Sequence, residues 1–310
     1  MADECDKQKA VLLRSLSQDL PTLPGYLFEL NELLMAPVVD LQCVSGVIGT
    51  DPSLSAQVLR LCNSFSLYTH HSVGSIEEAV VLLGRERLHH LVRTCSMVGD
   101  IGKPLGVTKV QSFWQHSFMN AVLSERLATL THYPEPRHAY LAGLLHDLGA
   151  LPLLVLSMGE EKTEPLSLEG IGESLETERK HFGLDHCEIG HRLGISWNFS
   201  LALVEVLEHH HQPDKAVYDR PLLAIVAAAD RLCVLCSIVL GGTVSRLGSS
   251  VASEFDPVLQ ECLPGLSPAE SARFAEILEA DFLHCIPQLE FNSAGIAGGP
   301  NYPETRAGRE

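Results

Sequence analysis

Five histidines and two aspartates stand in runs whose residue types suit metal chemistry. They are His116 in FWQHS, His146–Asp147 in LAGLLHDLG, His186 in FGLDHCEIG, His210–His211 in EHHHQP, and Asp230 in AIVAAADRL. Neutral imidazoles and carboxylates together suit zinc, iron, manganese or nickel. A carboxylate can bridge two cations and an imidazole cannot, so these seven groups supply enough ligands for two divalent ions, with Asp147 as the natural bridge. His146–Asp147 follows an apolar helical run, and neighbours on a helix point about 100 degrees apart, so the pair can enter one site from adjacent directions. Asp230 interrupts the otherwise apolar LLAIVAAADRLCVL. A buried carboxylate with no partner is costly. It needs a metal or a basic neighbour, and Arg231 projects elsewhere on the helix. A place near a rim, bonded to helix ends, explains Asp230 equally well. The seven residues are scattered from 116 to 230, and spacing alone does not bring them together.

The remaining histidines of the fifteen read as ordinary. His70–His71, His89–His90, His132, His138 and His284 are expected at the surface or at helix ends; His181 and His191, close to the cluster in sequence, stay open. The nine cysteines are odd in number and mostly sit in apolar helical patterns, which predicts free buried thiols. Cys233 and Cys236 form one C-x-x-C, but a zinc site built that way wants a second pair.

Helices must position these side chains. Helical periodicity dominates, strand signals are nearly absent, no internal repeat is found, and the expected fold class is an all-α multi-helix bundle. An N-terminal segment (1–17) precedes a helical half (18–105), a break near 99–109, a second helical region (106–288) and a Gly/Pro-rich tail (289–310) expected to be disordered. Asp51 is placed to cap a helix with Pro52 in its first turn, and Leu54, Val58 and Leu61 form its buried stripe. Ser75 and Glu78 predict a capping box, and Gly84 a break, giving two short helices over 76–91. That shape is also met in DNA-binding helix-turn-helix units, but its few basic residues and acidic setting favour plain packing.

The 310-residue chain carries a formal net charge of −17, with 45% hydrophobic and 20% charged residues. So much negative charge repels phosphate backbones and anionic membranes, which makes nucleic acid and membrane poor partners. The acidic start is unlike a signal peptide and no apolar run is long enough to span a bilayer, so a cytoplasmic location is expected. There the glycosylation-like Asn198-Phe-Ser200 is irrelevant.

Over residues 18–240 the chain resembles HDOD proteins, a branch of the HD superfamily of metal-dependent phosphohydrolases. The likeness rests on LPTLPGYLFEL, GTDPSLSAQVLRLCNS and SIEEAVVLLGRERL, then on FWQHS, LAGLLHDLG, ERKHFGLDHCEIGHRL, Trp197, EHHHQP and AIVAAADRL. The resemblance implies an N-terminal helical HDOD half packed on a C-terminal HD-like helical core. It assigns His116, His146, Asp147 and Asp230 to one metal, and Asp147, His186, His210 and His211 to the other; a shift to His209–His210 is an alternative register. Two departures matter. Ala150 follows HDLG where catalytic HD domains carry a lysine, and QPDKAVYDRP replaces the Gly-Tyr-Pro segment of cyclic-di-GMP phosphodiesterases. The first expectation is therefore a regulatory module acting on a signalling protein partner. The second is a phosphohydrolase of a nucleotide or cyclic dinucleotide, in which Asp147 is catalytic and Arg192, Lys215, Arg220 or Arg231 replaces the lost lysine at phosphate. A receptor that binds such a ligand without turnover is a minor third.

Overall fold

A proline cannot donate a backbone hydrogen bond, so it costs least in the first turn of a helix. Pro52 begins a helix in this way, and the Leu54 N–H donates to the Asp51 carboxylate just before it at 3.0 Å. The computed structural model describes residues 24–65, 73–99, 107–159, 175–240 and 252–294. The segment 1–17, His70–His71, most of the break at 99–109 and the tail past 294 lie outside them.

Among the described residues, four helices form the N-terminal half: α1 (Pro24–Met35), α2 (Leu41–Gly49), α3 (Pro52–Phe65) and α4 (Ile76–Gly99). Helices α1, α2 and α3 all pack on α4. Asp40 caps α2 by accepting from the Gln42 and Cys43 N–H groups. At the start of α4 the Glu78 N–H donates to Ser75 Oγ at 3.2 Å, and the Glu78 carboxylate reaches back to the Gly74 N–H at 3.0 Å. Gly84 breaks α4 with φ 69° and ψ 170°, a left-handed region that glycine enters without a Cβ penalty. The two expected helical pieces are therefore present, and the second runs on to Gly99. Leu54 and Val58 are fully buried and Leu61 packs beside them. Burial of each such side chain contributes roughly 1.5–3 kcal/mol.

The C-terminal half follows: α5 (Val107–Leu130), α6 (Pro136–Leu145), α7 (Ala150–Gly159), α8 (Leu175–Phe182), α9 (His186–Ser196), α10 (Leu201–His209), a single 3-10 turn (Pro213–Lys215), α11 (Arg220–Leu240), α12 (Ala252–Cys262) and α13 (Pro268–Ala294). Helix α13 thus extends beyond the boundary at 288 expected from composition. Regular structure among the described residues is all helical, and none of these helices is long and apolar enough to cross a membrane. Helix α5 is the spine, flanked by α6, α11 and α13, while α9 lies between α7 and α10.

The halves share one buried apolar core. Helix α3 meets α5 and α6. At the seam the Tyr140 hydroxyl donates to Gly49 O at 3.0 Å, the Asn63 amide donates to Trp197 O at 3.4 Å, and the Arg60 guanidinium lies 5.3 Å from the centre of the Trp197 ring. The last contact has cation–π geometry. Cys62, Cys187, Cys233 and Cys262 are buried free thiols and Cys43 is half-buried; the side chain of Cys236 is outside the described set.

Candidate metal centre

Helix α5 contributes His116. Its partner on the same face one turn on is Asn120, whose amide lies 3.4 Å from His146 Nε2. His146 and Asp147 were expected on a helix. They sit instead in the tight junction between α6 and α7, where the Leu148 N–H donates to Leu145 O and the Ala150 N–H to Asp147 O. Gly149 permits this junction: a Cβ there would lie 2.0 Å from His186 O and 2.6 Å from the Gly190 N. The turn and the start of α9 meet backbone against backbone, and His186, the first residue of α9, is thereby held beside Asp147. His210 and His211 come from the end of α10, and Asp230 from the middle of α11.

All seven residues meet in one place. Asp230 is buried and directed at the imidazoles, not at a rim. In the first group, His116 Nε2 lies 3.2 Å from His146 Nε2, 3.1 Å from Asp230 Oδ1 and 3.6 Å from Asp147 Oδ2. His146 Nε2 lies 3.4 Å from Asp147 Oδ2 and 3.6 Å from Asp230 Oδ1. In the second group, His186 Nε2 lies 3.3 Å from His210 Nε2, 3.1 Å from His211 Nε2 and 3.5 Å from Asp147 Oδ1, which is itself 3.2 Å from His210 Nε2. His211 Nδ1 reaches toward Asp230 Oδ2 at 3.7 Å. Bonds of about 2.0–2.2 Å to one tetrahedral ion would set neighbouring nitrogen and oxygen donors about 3.3–3.6 Å apart. Both groups are on that scale.

Hydrogen bonds outside the groups fix which ring atoms face inward. His146 Nδ1 lies 2.8 Å from Gly143 O and His210 Nδ1 3.0 Å from Val206 O. His186 Nδ1 lies 2.8 and 3.0 Å from the two oxygens of Glu178, and the His186 backbone N–H also donates to that carboxylate. Each acceptor assigns a proton to Nδ1, which leaves Nε2 as a lone-pair donor; this is the arrangement that orients metal-ligating histidines. Lone pairs of His186 and His210 then converge with the buried Asp147 Oδ1, whose distances to their Nε2 atoms are 3.5 and 3.2 Å. Converging acceptors with no donor between them favour a cation. The donor set therefore fits two divalent ions.

Electrostatics agree in sign. Burial opposes the charged form of His146, but Asp147 and Asp230 outweigh it and push the ring up to about 10. Burial likewise works against the carboxylates, yet the imidazoles hold Asp147 and Asp230 well below the usual range. His186 is raised well above an ordinary imidazole: burial opposes this, and contacts with Cys187, Glu178 and Asp147 prevail. Burial lowers His210, and burial with the charge of His210 takes His211 to about 3. Shifts of these signs mark two buried carboxylates that call for positive charge beside them.

Of the neighbours, His209 turns to Glu208, 3.7 Å away, so the structure gathers the pair 210–211 and not 209–210. His191 also pairs with Glu208, at 2.7 Å, and His181 Nδ1 bonds Thr177 O. Arg231 lies against α12, its guanidinium 2.7 Å from Glu261 and 3.4 Å from Cys262 Sγ. Arg192 pairs with Glu188 one turn back on α9. Lys215 and Arg220 are exposed at the 3-10 turn and the first residue of α11. Ala150, where HD enzymes carry lysine, is fully buried. The stretch replacing Gly-Tyr-Pro is anchored from below: the buried Glu205 carboxylate accepts the backbone N–H groups of Val217, Tyr218 and Asp219. Asp219 then caps α11, accepting from Leu222 N at 3.0 Å, and also accepts from the Tyr133 hydroxyl at 2.8 Å.

Sequence reasoning passed over Glu178, Asn120, Glu205 and Cys187. Asn120 had a signal, four residues beyond His116 on one helix. Cys187 lies next to His186, and its sulfur is within 4.8 Å of donor atoms of His186, His210 and His211. Burial pushes its thiol up.

The HDOD domain family model matches residues 20–213, more than half of the chain, and the chain belongs to that family. The fold is similar to that of the MmoQ response regulator from Methylococcus capsulatus, at a TM-score of 0.61 and 22% identity, covering 83% of this chain and 98% of that one. A virulence factor of Campylobacter jejuni has a similar fold at a TM-score of 0.59 and 18% identity, covering 85% and 94%. An uncharacterized protein of Treponema pallidum is 26% identical over 68% of this chain and 42% of its own length. The cyclic di-GMP phosphodiesterase CdgJ of Vibrio cholerae is 28% identical over 37% of this chain and 26% of its own. The chain thus matches less than half the length of either curated relative.

Proposed function

We propose that this HDOD protein is a cytoplasmic signal-transduction module, acting on a protein partner, whose C-terminal half carries a dinuclear metal centre. His116, His146, Asp147 and Asp230 hold one ion; Asp147, His186, His210 and His211 hold the other. The observation that carries this reading is the division of Asp147: Oδ2 faces one set of imidazoles, 3.4 Å from His146 Nε2, and the buried Oδ1 faces the other, 3.2 Å from His210 Nε2. A carboxylate so placed serves as a bridge. His146, His186 and His210 are fixed in advance by their Nδ1 contacts, which favours tight, permanent occupancy and a structural or sensory role. Burial of Ala150 at the lysine position weakens the case for turnover.

The second reading is a phosphodiesterase acting on a cyclic dinucleotide or nucleotide. Two observations favour it: the undiminished ligand set, and the partial likeness to a cyclic di-GMP phosphodiesterase. Bound divalent ions would supply Lewis acidity and water activation in such a reaction. Phosphate would then fall to exposed cations, with Lys215 and Arg220 better placed than Arg192 and Arg231, which carboxylates already engage.

The test is metal content of protein purified without chelators, with hydrolysis of bis-p-nitrophenyl phosphate and cyclic di-GMP measured in the presence of manganese or iron. Two ions without turnover support the regulatory module. Two ions with turnover lost in Asp147→Ala support the phosphodiesterase. Protein that takes up no divalent ion removes both readings.

A further inference from the structure

We propose that the Cys187 thiolate joins His186, His210 and His211 as a donor to the second ion, making the two metal positions chemically unequal. This rests on the dinuclear reading above and adds a ligand to it. Cys187 is buried at the first turn of α9, and its Sγ lies with three imidazole nitrogens in a set whose donor atoms are all within 4.8 Å of one another. A second observation points to the same spot, since the buried Asp147 Oδ1 is directed into this set, 3.2 Å from His210 Nε2 and 3.5 Å from His186 Nε2. Zinc–sulfur bonds are about 2.3 Å against about 2.0–2.1 Å for imidazole, and zinc accepts a fifth ligand, so sulfur and Asp147 Oδ1 can both be accommodated. On binding, the divalent ion replaces the thiol proton, which leaves to solvent, and a metal–sulfur bond forms with no change of oxidation state.

The first position has only nitrogen and oxygen donors from His116, His146, Asp147 and Asp230. The second would add a soft donor. Thiolate selects zinc or ferrous iron over manganese, whereas oxygen-rich sites suit manganese. The centre is therefore assigned as a mixed pair, with the softer ion beside Cys187.

The experiment is anaerobic cobalt(II) reconstitution of the full metal-free chain, followed by absorption spectroscopy and metal counting. The native protein is expected to bind two cobalt ions and to show a near-ultraviolet thiolate-to-cobalt charge-transfer band. Cys187→Ser is expected to lose that band while the other cysteines remain, and its preference for zinc over manganese should fall on the order of tenfold or more. Should Cys187→Ser fail to fold, X-ray absorption of the zinc-loaded native chain gives the answer directly, through a sulfur scatterer at about 2.3 Å. Two bound cobalt ions with no charge-transfer band, a band unchanged in Cys187→Ser, or zinc surrounded only by nitrogen and oxygen would each overturn the Cys187 assignment and leave the dinuclear reading intact. Failure of cobalt to bind at all overturns both.

Discussion

The Glu178 carboxylate grips His186 twice, at the ring Nδ1 and at the backbone N–H, each at 2.8 Å. One buried side chain thus holds the first residue of α9, whose cap is Asp185, and sets which way the His186 ring points. Removing the charge while keeping the shape separates these roles. Glu178→Gln is expected to weaken the second ion about 10–100-fold, the usual cost of losing the partner behind a ligand, while leaving the first ion in place. Chelator competition followed ion by ion measures this; equal loosening of both ions would contradict the division into two groups.

Asp147 and Asp230 should differ in kind. Asp147 touches both groups, whereas the closest contacts of Asp230 are to His116 and His146. Asp230→Ala is expected to reduce the bound metal from two ions to one, and Asp147→Ala to impair both. Elemental analysis after gel filtration reads the result, and retention of two ions by Asp147→Ala would remove the bridge.

Much of this centre was written locally. The donor types stood in short runs, and caps at Asp51 and Ser75 and the break at Gly84 follow from nearest-neighbour chemistry. Convergence was not legible, because His116 and Asp230 are joined only through the packing of α5 on α11. The His209, His210 and His211 register was undecided for a related reason: three successive histidines differ only in direction, and the direction depends on where α10 ends. Glu178 gave no signal, since in LETERKHF it reads as one more helix-surface acid; only the fold buries it. Cys187 read as a generic core thiol until α9 was docked beside α10.

Gly149 gives a test of that docking. A methyl group there meets backbone atoms of α9, which cannot rotate away. Gly149→Ala is expected to destabilise the protein by about 3 kcal/mol, the upper part of the range for overpacking, and to release metal through displacement of His186. Gly74→Ala is the matched control, as nothing lies within 4 Å of its added carbon, and it should change stability by less than about 0.5 kcal/mol. Urea unfolding of the two variants measures the difference; similar midpoints would argue against the close turn-to-helix contact.

Glu205 carries a pH dependence whose sign is fixed. Burial works to raise its pKa, but the backbone N–H groups of Asp219, Val217 and Tyr218 favour the carboxylate and bring the net value below the ordinary 4.5. A group with a depressed folded pKa stabilises the protein above its unfolded pKa, and that stability is lost as pH falls through the folded value. Glu205→Gln places an amide NH2 against backbone donors, so at pH 7 it should cost about 1–3 kcal/mol. The gap between native and variant should begin to close as pH drops below about 4.5, where the unfolded carboxylate takes up protons, and should be lost as pH falls through the lower folded value. Denaturation of both proteins at several pH values checks this. Since this loop leads into the Asp219 cap of α11, the variant should also loosen the helix that carries Asp230, and metal affinity should fall in parallel with stability. A gap that stays constant from pH 7 to pH 3 would show that Glu205 does not hold the loop as a carboxylate.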